Sequence, residues 1–137
     1  MNILTLLRTL GKEQPEKYLL PCYYKLRKDY LERCLKSKTI SELVGKLSES
    51  NYGKILTGAL PEYEKTNSLL PFEIKLKRHV LERNKLALQG DPFHLGTLLG
   101  YLKLKELEVE NLRIIAVGVF HGFAEEEITN LLVNNLT

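Results

Sequence analysis

The spacing of apolar residues along this chain follows the period of an α-helix, and that feature limits the possible folds more than any other. Apolar side chains recur every three or four residues, most clearly over 97–117 and 125–134, as they do along the buried side of a helix. Alternating apolar and polar residues, which mark a half-buried strand, never persist, and no Asn-Gly or Asp-Gly turn joins two such runs. The sequence therefore predicts an all-α protein, built as a bundle or stack of helices.

Helix start and stop signals divide the chain into short segments. Thr39 and Glu42 have the spacing of a capping box, in which a hydroxyl and a carboxylate satisfy the first amides of a helix. Pro71 suits the first turn of another helix, and Gly90 suits its end. The predicted helices cover 2–10, 23–35, a segment opening at Thr39, a segment opening at Ser50 whose end is weakened by Gly58 and Pro61, 71–89, 97–117 and 125–134. In the helix 97–117 the residues predicted to be buried are Leu98, Tyr101, Leu102, Val109, Leu112 and Ile115.

Length, composition and charge bound the class of protein. The 137 residues suffice for about one domain, and 44% hydrophobic with 27% charged residues excludes a disordered chain. Residues 1–54 contain 11 Lys and Arg against 6 Asp and Glu, whereas residues 55–137 contain 9 against 11. The two ends therefore either face different partners or are two differently solvated surfaces.

Neither a disulfide, a secretory signal nor a membrane span is predicted. Cys22 and Cys34 would lie roughly 18 Å apart on one helix, which is too far for a disulfide, and their spacing matches no metal motif. No apolar run approaches the roughly 18 residues that cross a bilayer. The first eight residues lack a basic region and a cleavage site. Any membrane role is therefore expected to be peripheral.

The two ends of the chain resemble each other. The segment 2–8 is similar to 111–117, and each is followed by a glycine-containing link and by a segment that ends in Leu-Leu, at Leu20 and at Leu132. Such an echo indicates a repeated helical unit, the first copy of which is cut off at Met1. Two unrelated apolar helices can look equally alike.

Motifs that would carry chemistry are missing from the sequence. There is no phosphate-binding glycine loop, no His-Glu-x-x-His and no Gly-x-Ser-x-Gly. His79 and Glu82 could be two metal ligands on one helix, but a third ligand is not apparent. Basic residues between 25 and 38 are interleaved with Tyr23, Tyr24 and Tyr30, and this pattern suits a nucleic-acid-binding protein or a small helical adaptor. Because the charge excess is small, that alternative is the weaker one.

The helix 101–115 carries polar residues on a largely apolar background. Glu108 and Asn111 share a side with Leu104 and Ile115, and buried polar groups need partners because each unpaired one costs roughly 1–3 kcal/mol. Arg113, which lies within one turn of Glu110, is the nearest cation in sequence. Either these residues brace the interior of the protein, or they form solvated pairs on a helix surface.

This helix also carries a resemblance to a known family. The order of residues looks like the closing motif of the C subunit of archaeal and related V-type ATPases. Upstream, residues 50–56, the pair Phe72-Glu73 with Leu76, and residues 2–8 resemble further segments of that family. The residues of this chain that match the closing motif are Tyr101, Leu102, Lys105, Glu106, Glu108, Asn111, Leu112, Arg113, Ile115, Gly118, Gly122, Phe123, Glu126 and Ile128. A basic residue often follows the glycine equivalent to Gly118 in the family, whereas here Val119 and Phe120 follow it.

The resemblance implies a function and an architecture. The C subunit of these ATPases is a funnel-shaped helical socket in the rotor, which sits on the membrane proteolipid ring at its cytoplasmic face and receives the central shaft. It is an accessory part of the complex without an active site or cofactor, and it binds neither nucleic acid nor a small-molecule substrate. The family's chains are more than twice this length and contain three helical units. The expected domains are residues 1–38, as the end of a preceding repeat, and residues 39–137, as a carboxyl-terminal helical domain. The expected structural residues are Tyr101, Glu106, Glu108, Asn111 and Arg113, and the rival interpretation of Glu106 and Glu108 is a catalytic pair.

Overall fold

The computed structural model describes residues 2–21, 23 and 25–133, and within these ranges every regular element is helical. Cys22, Tyr24 and the predicted end of the last helix at residue 134 lie outside the described residues. The all-α prediction is confirmed. The elements are α1 (Asn2–Thr9), a 3₁₀ turn (Pro15–Tyr18), α2 (Lys28–Leu35), α3 (Ile40–Leu47), α4 (Gly53–Thr66), α5 (Leu70–Leu88), α6 (Leu95–Phe120) and α7 (Glu125–Leu131).

The chain divides into two compact units, Met1–Glu73 and Ile74–Thr137. The boundary falls within α5, whose first turn belongs to the first unit and whose remainder belongs to the second. The predicted division after residue 38, with residues 39–137 packed as one unit, stays a prediction.

In the first unit, α1 to α4 and the start of α5 share an apolar core. The largest of its fully buried side chains are Phe72, Leu6, Leu31, Leu43, Leu47 and Leu56. The Tyr63 ring packs against the Phe72 ring with centroids 5.6 Å apart. On the surface of this unit, the Arg8 guanidinium reaches the Glu73 carboxylate at 2.7 Å and so ties α1 to the start of α5.

The start of α3 follows the capping prediction. The Thr39 hydroxyl accepts a hydrogen bond from the Glu42 amide at 3.2 Å. The Glu42 carboxylate accepts from the amide of Lys38, one residue before the cap, and it also pairs with Lys46. These contacts lower the pKa of Glu42, first through the hydrogen bond from Lys46 and then through the one from the Lys38 amide.

Two predicted helix limits in the first unit are wrong. Helix α2 begins at Lys28 rather than at residue 23, because the backbone at Arg27 is extended, with φ −63° and ψ 149°. Helix α4 continues through Pro61 to Thr66 instead of weakening there. Proline removes one hydrogen bond from a helix interior, and here the helix runs on to Asn67, which adopts the left-handed conformation that ends it.

The second unit packs α5, α6, α7 and the residues after α7. Leu81, Leu107 and Val133 form a buried cluster with Leu104 at its edge. Helices α6 and α7 meet where Ile128 lies over Gly118, and a Cβ at Gly118 would approach Ile128 Cγ1 to 2.6 Å. The close contact of these two helices therefore depends on the missing side chain.

The predicted buried face of α6 is wrong. Leu98, Tyr101, Leu102, Val109, Leu112 and Ile115 are all exposed, by 39–61%. The buried residues are Gly100, Leu107, Asn111 and Gly118. Because α6 is apolar on nearly every side, the period of its sequence cannot select the inner face, and small residues that permit close packing select it instead.

Candidate functional site

Asn111 is the one predicted site residue that the structure buries, and its side chain holds the segment that follows α7. It is 4% exposed, and its Oδ1 accepts a hydrogen bond from the Val133 amide at 3.1 Å. From α5, Arg78 Nη2 donates to the Leu132 carbonyl at 3.2 Å. The end of α7 is thus fixed from two helices, by two hydrogen bonds to neighbouring backbone groups.

The same arrangement occurs near the amino terminus. The Asn2 side chain accepts from the Leu20 amide and donates to the Leu20 carbonyl, each at 3.0 Å. Asn2 is the first residue of α1, which ends near Gly11, and Asn111 lies on α6, which ends near Gly122. Both glycines have a positive φ, 81° at Gly11 and 70° at Gly122. After each glycine come a short helix and one extended residue, Leu19 or Leu132. The next residue is the one that the asparagine binds.

These asparagine contacts give the sequence echo a physical meaning. In both places the asparagine side chain on the first helix hydrogen-bonds to the backbone that follows the second helix. These bonds hold the two helices of each pair together across the turn between them. The two copies differ in one respect. Asn2 uses both ends of its amide, whereas the buried Nδ2 of Asn111 has no partner among the residues that the structure describes.

The other four predicted residues lie on the outside of α6. Glu106 pairs with Lys103 and Glu108 pairs with Lys105, each at 2.7 Å and each three residues apart. Tyr101 is 49% exposed. Arg113 is exposed, and Glu110, its predicted partner, pairs with Lys77 on α5 instead.

The electrostatics of this outer side are those of a solvated helix. The hydrogen bond from Lys105 to Glu108 raises the pKa of Lys105, and the Coulombic attraction of that carboxylate adds to the shift. The Lys105 ammonium also lies 6.0 Å from the centroid of the Tyr101 ring. Both carboxylates named as a possible catalytic pair are thus engaged with lysines on the surface of one helix.

Other possible sites are poorly developed. The part of the chain that the structure describes contains no group of three His, Cys, Asp or Glu side chains placed to hold a metal ion. The basic stretch forms one side of an open cleft of about 300 Å³ in the first unit. Its lining includes the cations Lys25, Arg27 and Arg33, but also Asp29 and Glu49, so its charge is mixed rather than suited to a phosphate backbone.

The structure offers no element for crossing a bilayer within its described ranges. None of the helices there combines the length and the apolar character that a membrane span requires.

Comparison with known proteins gives a consistent result. The C subunit of the A-type ATP synthase of Methanocaldococcus jannaschii is 34% identical over 125 residues, which are 91% of this chain and 31% of that protein. The corresponding protein of Methanothermobacter thermautotrophicus is 32% identical over 90% of this chain and 32% of its own length. That of Halobacterium salinarum is 38% identical over 68% of this chain and 26% of its own length.

The chain spans about a third of the length of these relatives. No solved structure matches it. The sequence model described as ATP synthase (C/AC39) subunit matches residues 1–131, a range that includes Asn2, Leu20, Asn111 and the whole of α6. The chain therefore belongs to the ATP synthase (C/AC39) subunit family.

Proposed function

We propose that this chain is part of a non-catalytic connector in the rotor of an A/V-type ATPase. The connector links the central shaft to the proteolipid ring at the cytoplasmic face of the membrane, and it passes torque between them during ATP-coupled transport of protons or sodium ions. The observation that carries the proposal is the family match over residues 1–131. The relatives, each of which is named as the C subunit of an A-type ATP synthase, support it.

The mechanical character of the second unit also supports this role. A torque-bearing part must resist bending and sliding, and packed helices do so because protein interiors are as dense as organic crystals. Helix α6 has 26 residues and is therefore about 39 Å long. The hydrogen bonds of Arg78 and Asn111 to the residues after α7 keep that helix from sliding along α6.

The surface chemistry favours an accessory role over an enzymatic one. A catalytic carboxylate pair needs a sheltered site and a substrate position between the two groups. Glu106 and Glu108 instead have side chains 67% and 57% exposed and are occupied by lysines of the same helix.

Co-purification tests the proposal directly. The tagged chain is co-expressed with the shaft subunits and the proteolipid ring of an A-type ATPase, solubilised in mild detergent and recovered by its tag. We expect both the shaft and the ring to be retained, and the tag alone serves as the control. Recovery of the folded chain without one of these two partners would contradict a connecting role.

A further inference from the structure

Helix α6 has a second apolar face, on the side opposite the residues that it buries within the second unit. Starting at Leu95, its residues follow alternating steps of three and four, the spacing of the contact line in a two-stranded coiled coil. We call this line the outer seam. It consists of Leu95, Leu98, Leu102, Lys105, Val109, Leu112, Ala116 and Val119.

The outer seam is exposed along its whole length. Its six large apolar side chains are 55–67% exposed, and the span from residue 95 to residue 119 is about 36 Å long. Leu99, Tyr101, Ile115 and Phe120 flank it and are exposed as well. Single exposed apolar residues are common on proteins, but a continuous stripe of this size marks an interaction surface.

The inner and outer faces of α6 are distinct. Gly100, Leu107, Asn111 and Gly118 occupy the inner face and are already buried. Among the large apolar residues of α6 that are exposed, only Val117 lies off the outer seam and its flanks. A second, uncovered apolar face on a helix indicates that another surface packs against it.

We propose that the outer seam pairs with the outer seam of a second copy of this chain, in antiparallel orientation. The pairing concerns the chain free of other subunits and does not depend on the proposed rotor function. Leu102 of one copy lies opposite Leu112 of the second copy, and Lys105 lies opposite Val109 of the second copy. The occupant is a second copy because this register sets apolar residues opposite each other at every layer except the two that contain Lys105, and because it brings opposite charges together beside the seam.

Charge complementarity selects the antiparallel orientation. A parallel pair would set Lys105 against Lys105 of the second copy in the middle of the seam, where like charges disfavour association. The antiparallel pair places Glu106 beside Arg113 of the second copy, and symmetry forms this contact twice. Arg113 is available for it because it makes no ion pair with the residues that the structure describes.

The available area suits a stable dimer. The outer seam and its flanks contain ten large, exposed apolar side chains in each copy. At about 80 Å² of removable surface for each, they supply roughly 800 Å² per copy, which is the standard size of a specific interface.

Sedimentation velocity over a concentration series tests the pairing. We expect the chain, with a mass of 15.8 kDa, to reach twice that mass, and we expect Leu102→Asp and Val109→Asp each to remain monomeric. Val117→Asp is the matched control, because Val117 is 48% exposed on the same helix but off the seam, and it should dimerise normally. Circular dichroism confirms that each variant is folded. A wild-type chain that stays monomeric, or a Val117→Asp variant that loses dimerisation equally, overturns the proposal.

Charge reversal tests the orientation. We expect Glu106→Arg and Arg113→Glu each to weaken dimerisation about tenfold and the double variant to recover most of that loss, because facing charges of opposite sign favour association. In a parallel pair, Glu108 rather than Glu106 would face Arg113 of the second copy. Recovery by Glu108→Arg with Arg113→Glu, and not by Glu106→Arg with Arg113→Glu, therefore overturns the antiparallel arrangement.

Discussion

At the scale of the residue, the buried amide of Asn111 is the most informative group in the chain. A leucine at this position would fill similar space but would leave the buried Val133 amide without an acceptor. We therefore expect Asn111→Leu to lower the free energy of unfolding by about 1–3 kcal/mol, measured by urea denaturation. Asn130→Ala is the control, since Asn130 is exposed on α7, and it should change stability by less than about 0.5 kcal/mol. Equal stability of the two variants would contradict the role of Asn111.

Cys34 makes the stability of the first unit sensitive to alkaline pH. Burial raises the pKa of the Cys34 thiol above its ordinary value of 9.0, against the smaller opposing effects of Lys46 and Arg33. A group whose pKa is raised by folding stabilises the protein fully below its unfolded pKa, and that contribution is lost as the pH rises through the folded pKa. We expect the free energy of unfolding to fall from about pH 9 upwards.

Urea denaturation of wild type and Cys34→Ala across this pH range measures the effect. The variant is expected to be less stable at neutral pH, because it leaves a cavity, but to lose less stability as the pH rises. Tyr30 contributes its own alkaline loss in both proteins, since burial also raises its pKa. Identical pH slopes for the two proteins would contradict the role assigned to Cys34.

At the scale of the element, two glycines of neighbouring helices differ in whether the structure leaves room for a side chain. Gly45 on α3 has open space around it, whereas a Cβ at Gly53 would come within 1.9 Å of the Ser48 carbonyl oxygen. We expect Gly45→Ala to raise the free energy of unfolding by about 0.4–1 kcal/mol, because alanine restricts the unfolded chain. Gly53→Ala should lower it, because the backbone between α3 and α4 must move. Thermal denaturation of the pair measures both signs, and a stabilising Gly53→Ala would show that this turn is not tightly packed.

The crossing of α6 and α7 provides a second test at this scale. Gly118→Ala forces the added methyl group against Ile128, and overpacking of this kind costs about 1–3 kcal/mol. Shortening the neighbour with Ile128→Val should recover part of that loss, so the two substitutions should be non-additive. A double-mutant cycle measured by urea denaturation gives the coupling. Strict additivity would mean that the two residues do not share this contact.

The predictable elements are those whose signals are local. The cap of α3 depends on Thr39 and Glu42 alone, so its position could be read from four residues. The start of α2 depends instead on the extended backbone of Arg27, which makes no side-chain cap and so leaves no capping signal in the sequence. Among the proposed site residues, only Asn111 has a distant partner, and nothing in the sequence identified the Val133 amide as that partner.

At the scale of the whole molecule, the helical class and the family were accessible from sequence, whereas the exposed and buried sides of α6 were not. The helical class follows from the period of apolar residues throughout the chain. The resemblance to the ATPase family rested on the order of residues in 101–128, and the family match over residues 1–131 confirms it. The choice of inner face depends on Gly100 and Gly118, which allow neighbouring helices to approach closely. A pattern of hydrophobic residues does not identify such glycines.

The outer seam of α6 also has a consequence for the life of the protein in a cell. A copy that has found nothing to cover those leucines presents the kind of surface that chaperones and quality-control proteases bind. Unpaired copies would therefore be removed sooner than paired ones, and the amount of this protein would rise more steeply than its rate of synthesis, because pairing is favoured at higher concentration.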